Sequence, residues 1–238
     1  MGDWYYWHRE HRGTLLAIFA FVAMFAIYSF NHPVGLNANV ATTAANKGVL
    51  LALVAMAQTV VVITSGIDLS VGAILVLANC LASRIVLGDP ISTGMGVVGV
   101  LLVGCLCGAL NGLIVVYGRL QPIVTTIATG AVFYGIALAL RPVPGGDVNA
   151  QLAEALTGKL WLDIPASLVL LAAIIGMVWV PYRRSMIGRA TYAVGSSESA
   201  AYMSGVPIKA AKFTAYTLSG LLSAMAGLFV TFVTYSGE

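Results

Sequence analysis

Residues 97–117, VVGVLLVGCLCGALNGLIVVY, form an apolar stretch without a charged side chain. A helix rises about 1.5 Å per residue, so about 20 such residues cross the hydrocarbon core of a bilayer. The stretch does not alternate between apolar and polar residues as a barrel strand does. Six further stretches meet or approach this length: 13–30, 48–65, 70–87, 122–140, 165–182 and 213–235. We therefore predict an all-α, polytopic transmembrane helical bundle with about seven spans.

The composition of the whole chain indicates the same class. Apolar residues make up 59% of the 238 residues and charged residues only 9%, and the mean hydropathy is +0.93. A soluble domain carries charge on about a quarter of its residues, because its surface must contact water. We expect residues 1–238 to form one transmembrane domain. The first apolar run is interpreted as a retained span, because no small-x-small cleavage pattern follows it.

The distribution of lysine and arginine over the loops predicts the orientation. If the N-terminus is cytoplasmic, the inner side holds Arg9, Arg12, Arg119, Arg183, Arg184, Arg189, Lys209 and Lys212. The outer side then holds Lys47, Arg84, Arg141 and Lys159. Because inner loops carry the basic excess, we predict a multi-pass protein with a cytoplasmic N-terminus.

The segment 188–212, between the last two spans, is not apolar enough to enter the membrane. Its pattern predicts a short amphipathic helix bounded by Gly195 and Gly205. One of the serines before Glu198 could cap this helix, and a carboxylate in the first turn suits the helix dipole. Two interpretations remain open from the residues alone: an anchor in the membrane interface, and a docking element for a cytoplasmic partner.

Small residues recur at steps of four in two of the spans. Such a stripe lets neighbouring helix backbones approach closely, which favours helix association in lipid. The residues assigned to helix packing are Gly104, Gly108, Gly112, Ser219, Ser223 and Gly227.

Polar side chains at membrane depth are costly unless they are hydrogen-bonded or hydrated. They include Gln58, Asn111, Gln121 and Thr125, with Thr59, Thr126 and Thr129 close by. The sequence SGIDLSVG at 65–72 interrupts the apolar pattern, and its Asp68 and Ser70 suit a tight turn and a helix N-cap. Interhelical hydrogen bonding or a re-entry turn would explain these residues, and so would a lining for a wet transport path.

The sequence lacks the groups that several other membrane functions require. Cys80, Cys105 and Cys107 lie inside apolar runs without further metal ligands nearby, so we interpret them as packing residues. No span carries a Glu, Lys, Arg or His well inside it for ion coupling, and no ATP-binding G-x-x-x-x-G-K-[ST] loop is present. No catalytic constellation is found, which argues against a membrane-embedded enzyme. A passive channel, a structural component and a pump powered by another subunit remain.

Four motifs follow one another along the chain. They are TSGIDLSVG at 64–72, the stretch from Asn111-Gly112 to QPIVTT at 121–126, the segment from Gly188 to Gly205, and the span from Tyr216 to Gly227. In this order they closely resemble the motifs of the ribose/galactose/xylose-type permeases of monosaccharide ABC importers. The resemblance covers nearly the whole chain.

This resemblance implies the transmembrane permease subunit of an ATP-driven importer in the bacterial inner membrane. The expected partners are a second permease subunit, a cytoplasmic ABC ATPase, a periplasmic sugar-binding protein and membrane lipid, with no nucleic acid. The chain itself is expected to be non-catalytic and to bind no metal or cofactor, since the partner uses the ATP. The expected translocation and gating residues are Gln58, Asp68, Ser70, Asn111, Gln121 and Thr125. The expected ATPase-coupling residues are Gly195, Glu198, Ala200 and Gly205.

The sequence departs from the family pattern in two places. Ser196-Ser197 stands where these permeases usually carry a Gly/Asn pair. The family also continues beyond the position of Glu238 with a second Gly-rich motif and further spans, so we expect this chain to lack the C-terminal part. The alternative functions are therefore a non-transporting fragment, a passive pore or a structural subunit.

Overall fold

A computed structural model describes residues 11–31 and 37–237 of the chain. Across these residues the secondary structure is helical, with two isolated β-bridges, Gly145 to Gly237 and Lys159 to Pro165, and no longer strand. The predicted all-α class is confirmed. The chain divides into two compact units, residues 1–43 and 44–238. The single domain expected for 1–238 stays a prediction, and Arg9 lies outside the described residues.

Eleven α-helices are described. They are α1 (Arg12–Asn31), α2 (Ala38–Val62), α3 (Val71–Ile85), α4 (Pro90–Gly112), α5 (Pro122–Leu140), α6 (Ala150–Thr157), α7 (Ala166–Ile174), α8 (Val180–Arg184), α9 (Met186–Ser196), α10 (Glu198–Met203) and α11 (Ile208–Thr234). A π-helical turn, Leu113–Tyr117, extends α4, and a second, Ile175–Trp179, joins α7 to α8. A 3₁₀ turn spans Trp161–Asp163.

Six helices in the described part of the chain are long and apolar enough to cross a membrane. They are α1, α2, α4 with its π turn, α5, the continuous helix from α7 to α8, and α11. The predicted polytopic bundle is confirmed. The third predicted span is different, because α3 has only 15 residues and rises about 22 Å, less than a hydrocarbon core of about 30 Å.

The start of α4 also differs from the predicted position. Asp89 caps α4 and accepts hydrogen bonds from the backbone N–H groups of Ile91 and Ser92, and Pro90 occupies the first helical position. A hydrogen bond from the Ser92 hydroxyl also lowers the pKa of Asp89, which keeps its carboxylate an acceptor. Helix α4 therefore begins at Pro90, seven residues before the predicted position 97. Helix α3 ends at Ile85, before the predicted position 87.

Helix α11 lies at the centre of the larger unit. Its buried side chains include Leu222 and Phe229, which pack with Val49 and Leu53 of α2, while Leu228 packs with Val100 of α4. Large apolar side chains on the outer helix faces, such as Leu106, are exposed and suit contact with lipid. Helix α1 has no buried residue within its own unit, as expected for an apolar helix surrounded by lipid.

The glycine stripe of α4 lies directly against α11. A Cβ atom on Gly108 would collide with the Tyr216 carbonyl oxygen, and one on Gly104 would collide with Ala224. A Cβ atom on Gly220 would collide with the Gly104 carbonyl oxygen, so the two backbones touch. Gly112 similarly faces Phe213, because a Cβ atom on Gly112 would lie 3.0 Å from the Phe213 ring.

The small residues of α11 that the sequence singled out are divided between other neighbours. Gly227 lies against the Leu75 carbonyl oxygen of α3, Ser219 bonds to Asp68, and the Ser223 hydroxyl donates to the Ser219 carbonyl oxygen of its own helix. All three are buried, but the residue that meets the α4 stripe is Gly220.

Candidate functional site

Asp68 lies in the irregular segment 63–70 between α2 and α3, with only 2% of its surface exposed. Its Oδ1 atom accepts hydrogen bonds from the Ser70 backbone N–H at 2.9 Å and from the Ser70 hydroxyl at 2.6 Å. Its Oδ2 atom accepts a third, from the Ser219 hydroxyl of α11 at 3.0 Å. Hydrogen bonds to a carboxylate are about twice as strong as neutral ones, so they fix this segment to α11.

The hydrogen bonds continue from Ser70 into two further helices. Asn111 of α4 donates from Nδ2 to the Ser70 hydroxyl at 2.7 Å, and the Thr129 hydroxyl of α5 donates to Asn111 Oδ1 at 2.6 Å. The Leu69 backbone N–H donates to the Thr126 hydroxyl, also on α5, at 3.0 Å. We call Asp68, Ser70, Asn111, Thr129 and Ser219 the polar network.

Local backbone geometry produces the break that holds Asp68. The helix α2 ends at Val62, and Ser65 adopts a left-handed conformation with φ of 60°. This conformation is uncommon for a residue with a Cβ atom, so the surrounding contacts must hold it. Gly66 then passes close to Tyr216, because a Cβ atom there would lie 2.9 Å from the Tyr216 hydroxyl.

Two buried hydroxyl groups beside the network lack a hydrogen-bond partner within the described residues. They belong to Tyr216 of α11, with 1% of its surface exposed, and Thr125 of α5, with 4% exposed. A buried hydroxyl without a partner costs about 1–3 kcal/mol, so this part of the bundle is not at its most stable polar arrangement.

The segment after α8 contacts the Asp68 segment directly. Gly195, in the last turn of α9, packs against the Ile63 carbonyl oxygen so closely that a Cβ atom would collide with it. The Ser65 hydroxyl donates a hydrogen bond to the Gly195 carbonyl oxygen at 3.2 Å. Glycine is therefore required at 195 by close packing.

The short helix predicted between Gly195 and Gly205 is confirmed as α10, with Ser197 as its cap and Glu198 in its first turn, and a further helix, α9, precedes it. Ser197 separates them with an extended backbone, and its hydroxyl accepts a hydrogen bond from the Ala200 backbone N–H at 3.3 Å. The break arises because a serine that caps α10 must leave helical geometry. Gly205 follows α10 with a φ of 73°, a left-handed conformation that favours glycine.

Helices α9 and α10 are attached to α11 by apolar packing and by an ion pair. Val194 and Ala201 are buried with Ala211 at the start of α11. Lys212 of α11 lies 2.7 Å from the Glu198 carboxylate, with side-chain exposures of 23% and 58%. These contacts make α9, α10 and the first turns of α11 one packed unit.

A profile of the family described as "Branched-chain amino acid transport system / permease component" matches residues 40–238. The chain belongs to this permease family. The match begins just inside α2 and includes the Asp68 segment, the polar network and the helices from α9 to α11.

Curated relatives are sugar permeases by name. The chain is 35% identical to the ribose import permease protein RbsC of Bacillus subtilis, over 95% of this chain and 70% of the relative. It is 35% identical to the Haemophilus influenzae ribose import permease protein, over 76% of this chain and 57% of the relative. It is 29% identical to the D-allose transport system permease protein AlsC of Escherichia coli, over 92% and 67% respectively. No solved structure matches.

Three of the six translocation residues expected for a permease of this family meet in the polar network: Asp68, Ser70 and Asn111. Thr125 lies one helical turn from Thr129, and its carbonyl oxygen accepts from the Thr129 hydroxyl at 3.0 Å. Gln58 is half-buried on α2 and Gln121 is exposed at the start of α5, both outside the network. The transport role of all six residues stays a prediction.

The residues expected to couple the permease to an ATPase fall into two groups. Gly195 packs inward, whereas Glu198, Ala200 and Gly205 are exposed on α10 or just after it. The same short helix exposes two large side chains, Tyr202 at 76% and Met203 at 88%. Exposed aromatic and methionine side chains beside charged groups are typical of a protein-binding surface. The coupling role also stays a prediction.

Thr126, Thr129 and Tyr216 are residues of the site that the predicted set omits. The threonines were visible as a polar group at the start of α5, and their spacing from Thr125 could have indicated which face is buried. Ser219 was assigned to helix packing, but its hydroxyl bonds to Asp68. No sequence pattern predicts that Ser219 of α11 lies beside Asp68, because 151 positions separate the two residues.

The described residues offer no obvious metal site. Within 11–31 and 37–237, no three His, Cys, Asp or Glu side chains are grouped so that they could hold an ion. Cys80 and Cys107 are buried and Cys105 is half-buried, all inside helices α3 and α4. Their positions agree with the packing role that the sequence indicates.

Proposed function

We propose that this chain is the transmembrane permease subunit of an ATP-driven importer that moves a monosaccharide inward across the bacterial inner membrane. The family match supports the permease role, and the printed names of the ribose, allose and fructose permeases support the substrate class. The partners would be a cytoplasmic ABC ATPase, a periplasmic binding protein and a second permease subunit. With a cytoplasmic N-terminus, helices α9 and α10 would face the ATPase.

The observation that carries this proposal is the contact between α9 and the segment that holds Asp68. Gly195 touches the Ile63 carbonyl oxygen, and Ser65 bonds to Gly195. A displacement of α9 toward the segment 63–70 would move Ile63, because no side chain lies between the two backbones to absorb the movement. The displacement would therefore reach Asp68, five residues further along the chain.

A second connection leads from α10 to the same carboxylate. Glu198 is paired with Lys212, and Ser219 lies seven residues beyond Lys212 on α11. Residues seven apart lie on one face of a helix, two turns from each other. Because Ser219 bonds to Asp68, movement of α10 along this face would also reach the polar network.

The polar network has the properties of a gate with two discrete states. Its hydrogen bonds are worth about 0.5–1.5 kcal/mol each, and about 1.5–3 kcal/mol where a carboxylate accepts. Partial separation would leave buried groups without partners, so the network is stable only when closed or when fully open to water. We assign the closed state to the arrangement of residues described above.

The decisive experiment is transport in proteoliposomes that contain this chain, its ATPase and its binding protein. We expect Gly195→Ala to abolish ATP-dependent uptake of labelled monosaccharide while the ATPase still binds, because the new Cβ atom separates α9 from Ile63. Gly135→Ala is the matched control, since no heavy atom lies within 4 Å of its Cβ position. Normal uptake by Gly195→Ala would remove the proposed coupling route.

The same assay distinguishes the alternative functions. Uptake that does not depend on ATP would indicate a passive pore, and no uptake by the unaltered chain would indicate a non-transporting fragment. Preference for leucine, isoleucine or valine over pentoses and hexoses would favour the substrate class in the family description.

A further inference from the structure

Three arginines from two helices form an exposed basic surface at the end of a membrane-spanning helix. Arg183 and Arg184 end α8, and Arg189 lies in the first half of α9. Together with Trp179 and Val180 they line a depression of about 480 Å³. We call these five residues the arginine surface.

A tight turn at Ser185 connects α8 to α9 and places Arg189 near Arg183 and Arg184. The Ser185 backbone N–H donates to the Pro181 carbonyl oxygen at 2.9 Å, and the Ser185 hydroxyl accepts from the Gly188 N–H at 2.9 Å. Gly188 packs against the Tyr182 carbonyl oxygen, where a Cβ atom would collide. The turn therefore holds Arg189 beside the end of α8, so that all three arginines line the same depression.

No acidic side chain lines the arginine surface, and none of its arginines forms an ion pair with another described residue. A second basic cleft, whose lining includes Arg119, Lys209 and Lys212, differs from the arginine surface. Glu198 also lines this cleft and is paired with Lys212. Three adjacent guanidinium groups repel one another, and a phosphate can accept two hydrogen bonds from each planar fork. The chemistry of the surface therefore fits a phosphate-bearing anion.

The position of the surface indicates the source of that phosphate. Trp179 lies at the end of an apolar helix, where tryptophan commonly marks the membrane–water interface. Exposed apolar side chains of the same helix, including Val169 and Met177, precede the arginines. An acyl chain can lie along these residues while its headgroup meets the guanidinium groups, which a soluble phosphate compound cannot do.

We propose that the arginine surface binds the headgroup of an anionic phospholipid, phosphatidylglycerol or cardiolipin. Both have phosphate without a compensating ammonium group, so they retain the net negative charge that the three arginines require. This inference depends on insertion of the chain in a membrane and not on its transport activity.

The test is native mass spectrometry of the purified full chain with equal amounts of phosphatidylglycerol and phosphatidylethanolamine. We expect the unaltered chain to retain phosphatidylglycerol preferentially, and R183Q/R184Q/R189Q to bind it on the order of 100-fold more weakly, since each arginine in direct contact with the headgroup phosphate contributes about fivefold. The control K47Q/R84Q/R119Q removes three exposed charges elsewhere and should stay within about threefold of the unaltered chain.

Two further measurements keep the test decisive if the glutamine variant folds poorly. R183K/R184K/R189K retains the charge but not the planar fork, and should lose part of the preference. In the unaltered chain, raising the salt to about 1 M should reduce the preference, because the Debye length falls to about 3 Å. Free glycerol phosphate should not displace the lipid.

Three results would overturn the proposal. The unaltered chain could bind both lipids equally, or the glutamine variant could keep the full preference while folded. Alternatively, the variant could lose capture of the ATPase with lipid binding unchanged, which would assign the surface to a protein partner.

Discussion

Asp68 is the residue on which the polar network depends. Its carboxylate accepts three hydrogen bonds although 2% of its surface is exposed, and no described cation forms an ion pair with it. A buried carboxylate without an opposite charge is held by its donors alone, so the donors of Ser70 and Ser219 carry the whole stabilisation.

We expect Asp68→Ala to lower the free energy of unfolding by about 2–3 kcal/mol, because buried Ser70 and Ser219 donors lose their acceptor. Asp68→Asn should cost about 1 kcal/mol, since its amide oxygen replaces one of the two acceptors and the Ser219 hydroxyl can reverse. Thermal unfolding in detergent, followed by helix content, measures both changes.

Asp163→Asn is the exposed control and should change stability by less than about 1 kcal/mol. An unaltered melting temperature for Asp68→Ala would show that these bonds do not stabilise the bundle.

At the scale of single residues, the sequence predicted which polar residues are buried better than it predicted their contacts. Asp68, Ser70 and Asn111 stand out because polar groups at membrane depth must be satisfied. Their mutual hydrogen bonds depend on the positions of three different helices, which residue type does not specify. Gln58 and Gln121 satisfied the same criterion, but they lie on less buried positions of their helices.

Among the elements, α4 and α11 are joined by backbone contact. Glycines at 104, 108 and 220 remove the side chains that would otherwise separate the two helices. The sequence could predict the α4 stripe from its spacing of four. It could not identify Gly220 as the partner, because Ser219, Ser223 and Gly227 show the same spacing one residue away.

Two glycine-to-alanine substitutions in α4 should differ in their effect on the free energy of unfolding. Gly108→Ala should destabilise the protein by about 1–3 kcal/mol, because the added methyl group collides with the Tyr216 carbonyl oxygen. Gly94→Ala should leave stability unchanged or raise it by up to about 1 kcal/mol, since its Cβ position has no neighbour within 4 Å and alanine favours a helix. Thermal unfolding of both variants measures the difference. Equal melting temperatures would contradict the close packing of α4 and α11.

The ion pair between α10 and α11 should matter more for transport than for stability. Glu198 is 58% exposed, so Glu198→Ala should cost less than about 1 kcal/mol. We nevertheless expect it to reduce ATP-dependent uptake severalfold, and the exchange E198K/K212E to restore much of the uptake. The pair between Lys159 and Asp163, at 3.6 Å, supplies the control variant Asp163→Ala. If the exchange fails to restore uptake although the protein is folded and binds its ATPase, the pair does not connect the two helices during transport.

Element boundaries were predictable where an end signal stands in the sequence. Pro122 marks the start of α5, which has the predicted bounds 122–140. The start of α10 was predicted from the serines before Glu198, and Ser197 is the one that caps it, whereas α9 was not predicted. The early start of α4 depends on the capping by Asp89, a local signal that the apolar pattern conceals.

For the whole molecule, the orientation in the membrane follows from the predicted excess of inner basic residues. A cysteine at Ser197, an exposed position, should react with a membrane-impermeant reagent in inverted vesicles but not in sealed cells. A cysteine at Trp161, which is 88% exposed at the other end of the helix from α7 to α8, should show the reverse. Both substitutions belong in a background in which Cys80, Cys105 and Cys107 are alanine. Labelling of residue 197 in sealed cells would invert the topology and remove the ATPase from α9 and α10.

The close approach of α11 to α3 and α4 leads us to expect a joint movement of these helices when the bundle opens. Because the backbones of α4 and α11 meet at Gly108 and Gly220 without side chains between them, we expect the two helices to move together when the bundle opens. Gly227 lies about 12 Å further along α11 than Ser219 and packs against the Leu75 carbonyl oxygen of α3. We expect α11 to pivot at this contact. Asn111 of α4 and Ser219 of α11 both bond to the segment 63–70, so we expect one small rotation of this helix pair to break the Asp68–Ser219 and Ser70–Asn111 bonds together.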